Sequence, residues 1–225
     1  MRHLGPELAP NEVLLTIDEV LTRQATPHHF WELRTARLAT AEGYRYVTGS
    51  GAAFLHQLGS MVRLALQPQR FLLVLADGAR WIRAFFTDAL GGITHKQMIL
   101  DWYHLYQKCR VYCRRIVTDP VAQAVFLRRV SRRLWQGKVE STLRLLERYR
   151  TQAQDTVALD RFIAYLLVRQ PWIPNYRQRR IDRRYVGSGH VEKPMTWWSP
   201  GARSGVACSG VNRPARPWPG SEPCF

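Results

Sequence analysis

The stretch FLLVLADG, residues 71–78, decides the fold of this chain. Its six apolar residues in a row, followed by Asp77 and Gly78, are typical of a strand that is buried on both faces. A strand of this kind lies inside a sheet and brings its first polar side chain to the sheet edge. The rest of the chain should therefore supply neighbouring strands and the helices that cover them.

Alternating and apolar runs elsewhere in the chain predict further strands. The first three predicted strands are antiparallel to one another. The predicted strands cover residues 12–24, 30–41, 44–48, 71–76 and 98–100. Apolar residues at helical spacing predict helices between these strands and over nearly all of residues 102–168. The best-defined predicted helices cover residues 52–66, 79–90, 125–136 and 139–150. The expected fold class is α/β, with a mixed sheet and a long helical region.

The composition favours a globular protein that has no membrane partner. The chain has 225 residues, of which 46% are hydrophobic, and this is enough to bury a sizeable core. No apolar run approaches the roughly 18 residues that a membrane helix needs, and the N-terminus lacks a signal-peptide pattern. A cytoplasmic location is therefore expected.

Four cysteines are too few and too irregularly spaced for a disulfide framework. Cys109 and Cys113 lie four residues apart on one helix face, and together with His104 they could form part of a metal site. Zinc usually takes four ligands, however, and no convincing fourth is evident. Two small, partly buried helix residues are the favoured interpretation.

The charge is strongly positive and unevenly distributed. Lys and Arg number 33 against 17 Asp and Glu, which gives a formal charge of +16. Residues 102–185 contain 19 of the basic residues and only 6 of the acidic ones. A merely solvated helical surface would interleave acids with these bases, and this region does not. It is therefore expected to contact a polyanion, with nucleic acid as the first candidate.

Three carboxylates occur in short motifs that lie far apart in the chain. Asp18 stands in LLTIDEV, Asp77 in LLVLADGA and Glu192 in GSGHVEK. Two acids at the ends of apolar strands, with a third from a late helix, could hold a pair of Mg²⁺ ions. One such Asp alone is more often just the first polar residue after a buried strand, so the ordered set carries the argument.

A fourth motif, MILDWYH, places Asp101 after another apolar strand and His104 three residues later. In this order the motifs resemble the DDE transposases of bacterial insertion sequences, in the Kra-type group that is related to the Mutator transposases. The resemblance runs from about Val13 to Lys193. It implies a ribonuclease-H-like mixed sheet with an all-helical insertion between the second and third acids.

The resemblance also implies the chemistry and the partners. Asp18, Asp77 and Glu192 would be the catalytic, metal-binding triad for two Mg²⁺ ions, with Mn²⁺ as a substitute, and Glu19 is a neighbouring alternative to Asp18. Asp101 and His104 would support the site or contact DNA. The partners would be the transposon ends and the target DNA, bound by a nucleoid-associated protein that could form a homo-oligomer.

An arginine cluster precedes the third acid. Ser188 could cap the helix that carries Glu192. The sequence GSG at residues 187–189 suits an ordinary turn equally well. The predicted DNA-binding residues are Arg177, Arg179, Arg180, Arg183, Arg184, His190 and Lys193. The predicted division is a first core part (1–101), a helical insertion (102–175), a final core helix region (176–193) and a disordered tail (194–225).

After Lys193 the sequence becomes rich in Pro and loses its apolar periodicity. Pro194, two residues past Glu192, should end the helix that carries this acid. In the transposases that the chain resembles, this helix continues. The DNA that encodes MTWWS at residues 195–199 can also be read in the frame that starts one base earlier. If Ser199 uses a TCN codon, that frame permits Asn-Asp-Leu-Val-Val, which is similar to the sequence of the family at this point. We therefore expect a frameshift near Lys193, with a natural Pro/Gly-rich tail as the alternative. The resemblance also implies a DNA-binding region ahead of the catalytic core, and we expect this chain to lack it.

The leading hypothesis is thus a truncated and frameshifted DDE transposase whose strand-cleaving activity is impaired. A basic DNA-binding remnant, or a regulator that occupies transposon ends without cutting them, is the alternative from another class. A generic metal-dependent nuclease is a third hypothesis. Formation of a joined strand-transfer product would argue against the nuclease.

Overall fold

The computed structural model of the protein describes residues 8–23, 30–66 and 70–187. Within these residues it is a mixed α/β fold with five strands and seven α-helices. The strands are β1 (Glu12–Arg23), β2 (Phe30–Thr40), β3 (Gly43–Gly49), β4 (Phe71–Ala76) and β5 (Lys96–Leu100). The helices are α1 (Gly51–Ala65), α2 (Arg80–Ala84), α3 (Trp102–Ile116), α4 (Pro120–Trp135), α5 (Val139–Arg148), α6 (Thr156–Arg169) and α7 (Tyr176–Ile181).

The five strands form one sheet in the order β3-β2-β1-β4-β5. β1, β2 and β3 are antiparallel neighbours, whereas β4 runs parallel to both β1 and β5. The central position of β4 explains its apolar sequence, because Leu72–Ala76 is buried along its whole length. The α/β class and the mixed sheet predicted from the sequence are confirmed.

Alternate strand residues contribute to two separate cores, one on each face of the sheet. Leu14, Leu73 and Ile99 pack with helices α3 to α6, while Leu15 and Val74 pack with α1 and α2. This division follows from the period of two along a strand. The region predicted as a helical insertion therefore shares one core with the sheet.

Side-chain caps define where several helices begin. An Asp or Asn side chain accepts the backbone N–H of the residue three positions later, at distances of 2.7 to 3.1 Å. The capping residues are Asp101, Asp119, Asp155 and Asn175. Each cap satisfies a donor that the first turn of a helix leaves free. No helix in the described ranges is both long and apolar enough to cross a bilayer.

The single helix predicted over residues 79–90 is interrupted in the structure. α2 ends at Ala84 and a π turn follows at Phe85–Ala89. The ammonium group of Lys96 donates hydrogen bonds to the carbonyls of Phe86, at 2.9 Å, and Leu90. These bonds satisfy carbonyls at the π turn and its end. Lys96 is also the first residue of β5, which begins two residues earlier than predicted.

Candidate active site on three neighbouring strands

Three of the predicted acids lie side by side on neighbouring strands. Asp77 and Asp101 directly follow β4 and β5, whereas Asp18 lies in the middle of β1, which continues to Arg23, and not at a strand end as predicted. β1 pairs with β4 as far as Thr16 and Leu75, and β4 pairs with β5 as far as Ala76 and Leu100. Asp18 and Asp77 each lie two residues past the pair Thr16 and Leu75, so the register of β1 and β4 aligns them. Asp77 and Asp101 each lie one residue past the pair Ala76 and Leu100, so the register of β4 and β5 aligns them too. Neighbouring strands lie about 4.8 Å apart, so this alignment gathers the three carboxylates side by side.

Side-chain alternation carries these acids to the sheet face that helices α3 to α6 cover. Asp18 has the same parity as Leu14, and Asp77 the same parity as Leu73, on that face. Glu19, the alternative first acid, points to the opposite face. Its Oε2 atom accepts a hydrogen bond of 2.8 Å from Trp81 Nε1. The geometry therefore brings Asp18, and not Glu19, beside Asp77.

The three acids differ in exposure and hence in what they can bind. Asp18 is exposed, Asp77 is half-buried and Asp101 is fully buried. Asp77 Oδ1 accepts the Ala79 N–H at 2.8 Å, which fixes the orientation of the carboxylate next to the turn. Asp101 Oδ1 caps α3, and a Cβ added at Gly187 would lie 3.2 Å from Asp101 Oδ2. Asp18 and Asp77 can therefore meet a ligand from solvent, whereas Asp101 is closed in by protein.

His104 connects the buried acid with the two accessible ones. Its Nδ1 atom lies 3.5 Å from Asp101 Oδ1, and its side chain is about one-third exposed. The Asp101 carboxylate, as a hydrogen-bond acceptor, raises the pKa of His104 above its ordinary value, and burial opposes this. The negative charges of Asp101, Asp18 and Asp77 raise the pKa further. A positive imidazolium is thus favoured at this end of the sheet.

We expect the stabilising effect of His104 to depend on pH. Because the folded-state pKa is raised, the contribution is fully present below the ordinary value of 6.5 and is lost as the pH rises through the folded-state pKa. Urea unfolding of the wild type and His104→Gln in metal-free buffer should show the largest difference near pH 5.5 and a smaller one near pH 8.5. His56→Gln, on the exposed side of α1, is the control. A difference that does not change with pH would contradict the interaction.

Arg169, the last residue of α6, was not predicted as a site residue. Its Nη2 atom donates a hydrogen bond of 3.0 Å to the carbonyl of Gly78, directly after Asp77. Gly78 has a φ of 72°, and a Cβ there would lie 3.2 Å from Arg169 Nε. Burial lowers the pKa of Arg169, and its guanidinium lies 4.0 Å from the Tyr165 ring centroid. Arg169 thus holds the turn that presents Asp77.

Three buried donors in this part of the structure have no hydrogen-bond partner among the described residues. They are Tyr165 Oη, Arg169 Nε and Arg83 Nε, whereas His104 Nδ1 has the long 3.5 Å contact with Asp101 Oδ1. The charge of Asp77 acts on Tyr165, Arg169 and His104. An unpaired buried donor costs about 1–3 kcal/mol, so polar groups are concentrated here at the expense of stability.

The predicted DNA-binding arginines lie on and after α7, close to the acids. The Tyr176 hydroxyl donates a hydrogen bond of 2.8 Å to the carbonyl of Leu100, and the Trp102 N–H donates one of 3.1 Å to Val186. Arg179 Nε donates to the carbonyl of Tyr185 at 2.8 Å, so this arginine is half-buried and folds the segment. The exposed arginines are Arg177, Arg180, Arg183 and Arg184.

The third acid, Glu192, lies outside the described residues, as do Ser188, His190, Lys193 and the predicted tail over 194–225. The described chain ends at Gly187, which packs against the Asp101 carboxylate. Glu192 is therefore five residues along the chain from a backbone position inside the candidate site.

The two cysteines that the structure describes lie in the core and not at the candidate site. Cys109 and Cys113 are free, fully buried and packed in the core between α3 and the other helices. Burial raises the pKa of the Cys113 thiol to about 12 and that of Cys109 well above its ordinary value. Both thiols stay neutral, which agrees with the favoured interpretation of core residues.

Asp18 and Asp77 offer two accessible carboxylates. Among the residues that the structure describes, no group of three or more His, Cys, Asp or Glu side chains is arranged to hold a metal ion. The hard oxygen atoms of Asp18 and Asp77 suit Mg²⁺ or Mn²⁺, which are bound through one or two carboxylates together with water and phosphate oxygens. Any third protein ligand would come from residues outside the described ranges.

Comparison with known proteins adds no assignment. No protein-family model matches this chain, and no curated protein matches it either.

Proposed function

We propose that this chain is a metal-dependent DNA strand-cleaving and strand-transferring protein of the DDE transposase type, built on a ribonuclease-H-like core. The alignment of Asp18 on β1 with Asp77 and Asp101, which directly follow the neighbouring strands β4 and β5, is the observation that carries the proposal. The sheet order β3-β2-β1-β4-β5, with β1 to β3 antiparallel, supports the proposed core. The partners are the transposon ends and target DNA.

Asp18 and Asp77, joined by Glu192, are the residues that would hold two Mg²⁺ or Mn²⁺ ions. When bound, such ions activate the attacking hydroxyl and stabilise the charge that develops on the phosphate and leaving oxygens. The Ala79 N–H fixes one oxygen of Asp77, so the other is left for a ligand in a set direction. The accessible position of Asp18 on the neighbouring strand supports a shared site.

The remaining residues would prepare the surroundings of the phosphate. Asp101 is buried and orients His104, whose raised pKa favours a positive ring beside the acids. A positive ring attracts the DNA phosphate and offsets part of the acid charge. Arg169 keeps the Asp77 turn in place through Gly78. The exposed arginines of α7 would contact phosphates that flank the scissile bond.

Metal-dependent nicking of DNA tests this proposal. The chain would be mixed in excess over a labelled duplex, because the frameshift that we expect near Lys193 should make cleavage slow. The mixtures would contain Mg²⁺, Mn²⁺ or EDTA. We expect nicks with either metal and none with EDTA. A joined strand-transfer product distinguishes a transposase from a generic nuclease, and no nicking with either metal would overturn the proposal.

A non-catalytic DNA-binding remnant or regulator of transposition is the second candidate. It is favoured by the formal charge of +16 and by the exposed arginines that adjoin the acids. Salt-dependent DNA binding without nicking would support it in place of the first. Nucleoid association is part of both candidates, and a homo-oligomer would allow two DNA ends to be held together.

A further inference from the structure

The outer face of α4 is basic and lacks counter-charges. This 16-residue helix contains no Asp or Glu, and Phe126, Val130 and Leu134 bury its inner face. Its arginines are Arg128, Arg129, Arg132 and Arg133. The first three are exposed, and none of the four takes part in an ion pair with any described residue.

Apart from Glu140 at the start of α5, the acids of the neighbouring helices are engaged elsewhere. Asp155 binds Arg115 at 2.7 Å and caps α6, while Glu147 and Asp160 both bind Arg150. Asp119 caps the far end of α4. Arginines one helical turn apart, without carboxylates between them, repel one another unless an anion is bound.

The end of α4 is packed firmly against the candidate site. Trp135 lies 4.7 Å from Trp102 and 5.8 Å from Tyr176, measured between ring centroids, with the second pair stacked. A Cβ at Gly137 would lie 2.9 Å from the Asn175 backbone nitrogen, so the end of α4 touches the start of α7. Trp102 directly follows Asp101. The two arginine-bearing helices therefore meet beside the acids.

A groove of about 560 Å³ opens beside this junction, between the turn that follows α4, the start of α5 and the segment that follows α6. Its charged lining consists of Lys138, Arg144 and one carboxylate, Glu140. Ser141 and Gln170 add neutral hydrogen-bonding groups. Two basic side chains against one carboxylate give the groove a small excess of positive charge.

We infer that the outer face of α4, together with the groove at its end, binds the phosphate backbone of duplex DNA beside the candidate active site. The inference rests on the proposed function for the choice of DNA among polyanions. Arginine suits the role because its planar, permanently charged guanidinium pairs with phosphate oxygens through two hydrogen bonds. The surface positions DNA and reads no sequence, as phosphate contacts carry none.

Binding of a labelled duplex of about 30 base pairs in EDTA tests the surface without requiring cleavage. The double variant Arg128→Gln/Arg132→Gln should bind about tenfold or more weakly at 0.1 M salt, and its salt-dependence slope should fall by about 2, since each phosphate contact contributes about 0.9. Arg45→Gln/Arg63→Gln removes the same charge on the opposite side of the sheet. This control should bind within about twofold of the wild type.

Equal loss of affinity in the two double variants would overturn the inference, since it would show a general charge effect. Stronger binding to duplex RNA of the same length, or to vesicles of anionic lipid, would overturn the assignment to DNA. If the wild type binds DNA through α4 but never nicks it, the proposed strand-cleaving function is wrong and the inferred DNA-binding surface is supported. If it nicks and the α4 variant binds normally, the surface is wrong.

Discussion

Asp77→Asn should abolish metal-dependent nicking, with a fall of at least about a hundredfold, and leave DNA affinity unchanged within about twofold. Asp77 lies at the end of β4, between Asp18 and Asp101 on the flanking strands, so it is the acid that every proposed ligand set includes. The amide keeps the size of the side chain and can still accept the Ala79 N–H, but it removes the negative charge that a divalent cation requires.

A matched control separates this effect from a general loss of negative charge. Asp88→Asn makes the same change on the exposed π turn, where the Asp88 carboxylate contacts only its neighbour Thr87, at 2.7 Å, among the described residues. We expect Asp88→Asn to nick DNA like the wild type. Equal activity of Asp77→Asn and the wild type would remove the proposed active site, whereas parallel loss in both variants would indicate damage to the preparation.

Tyr176→Ala should lower the free energy of unfolding by about 4 kcal/mol, as expected when a fully buried aromatic side chain is truncated in a core. Tyr176 is 0% exposed and packs against Trp102 and Trp135. Its hydroxyl also donates to the carbonyl of Leu100 at 2.8 Å. The side chain therefore ties α7, and the chain leading to Glu192, to the end of β5.

Tyr176→Phe separates the hydroxyl from the ring. It should cost only about 1–2 kcal/mol, because it leaves the Leu100 carbonyl without this donor while retaining the packing. Denaturant unfolding followed by tryptophan fluorescence measures both variants. A loss below about 1 kcal/mol in Tyr176→Ala would contradict the packing of α7 onto the sheet.

Most of the fold could be predicted because the strands obey simple patterns. β4 has the predicted bounds, since a fully apolar run between a proline and an Asp-Gly pair leaves little choice. The start of α4 was placed five residues late, because the helical prediction began at the apolar repeat and missed the Asp119-Pro120 cap. The π turn after α2 depends on Lys96, which approaches it only in the folded chain.

The three aligned acids were predictable for a related reason. Each is the first acid after a strand's apolar run, and a parallel register brings such positions together, although Asp18 lies within β1 and not at its end. The choice between Asp18 and Glu19 needed the structure, because the hydrogen bond from Trp81 to Glu19 joins residues 62 positions apart. Arg169 was missed because its contact with Gly78 spans 91 residues and leaves no local pattern.

The role of Arg179 also depends on tertiary structure. Within an arginine run its sequence environment resembles that of Arg177 and Arg180, yet its guanidinium donates to the Tyr185 carbonyl while the other two are exposed. A periodic apolar pattern likewise predicts that a segment is helical but not what it packs against. The shared core of α3 to α6 with the sheet is therefore a finding of the structure.

Iron-directed backbone cleavage tests whether Asp18, Asp77 and Asp101 surround one divalent-metal site. Fe²⁺ bound in place of Mg²⁺ generates hydroxyl radicals, with ascorbate and peroxide, that cut the nearby polypeptide. We expect cuts close to Asp18, Asp77 and Asp101, suppressed by excess Mg²⁺ and lost in Asp77→Asn. Cuts that avoid these three positions, or that persist unchanged in Asp77→Asn, would contradict the assignment of a metal site.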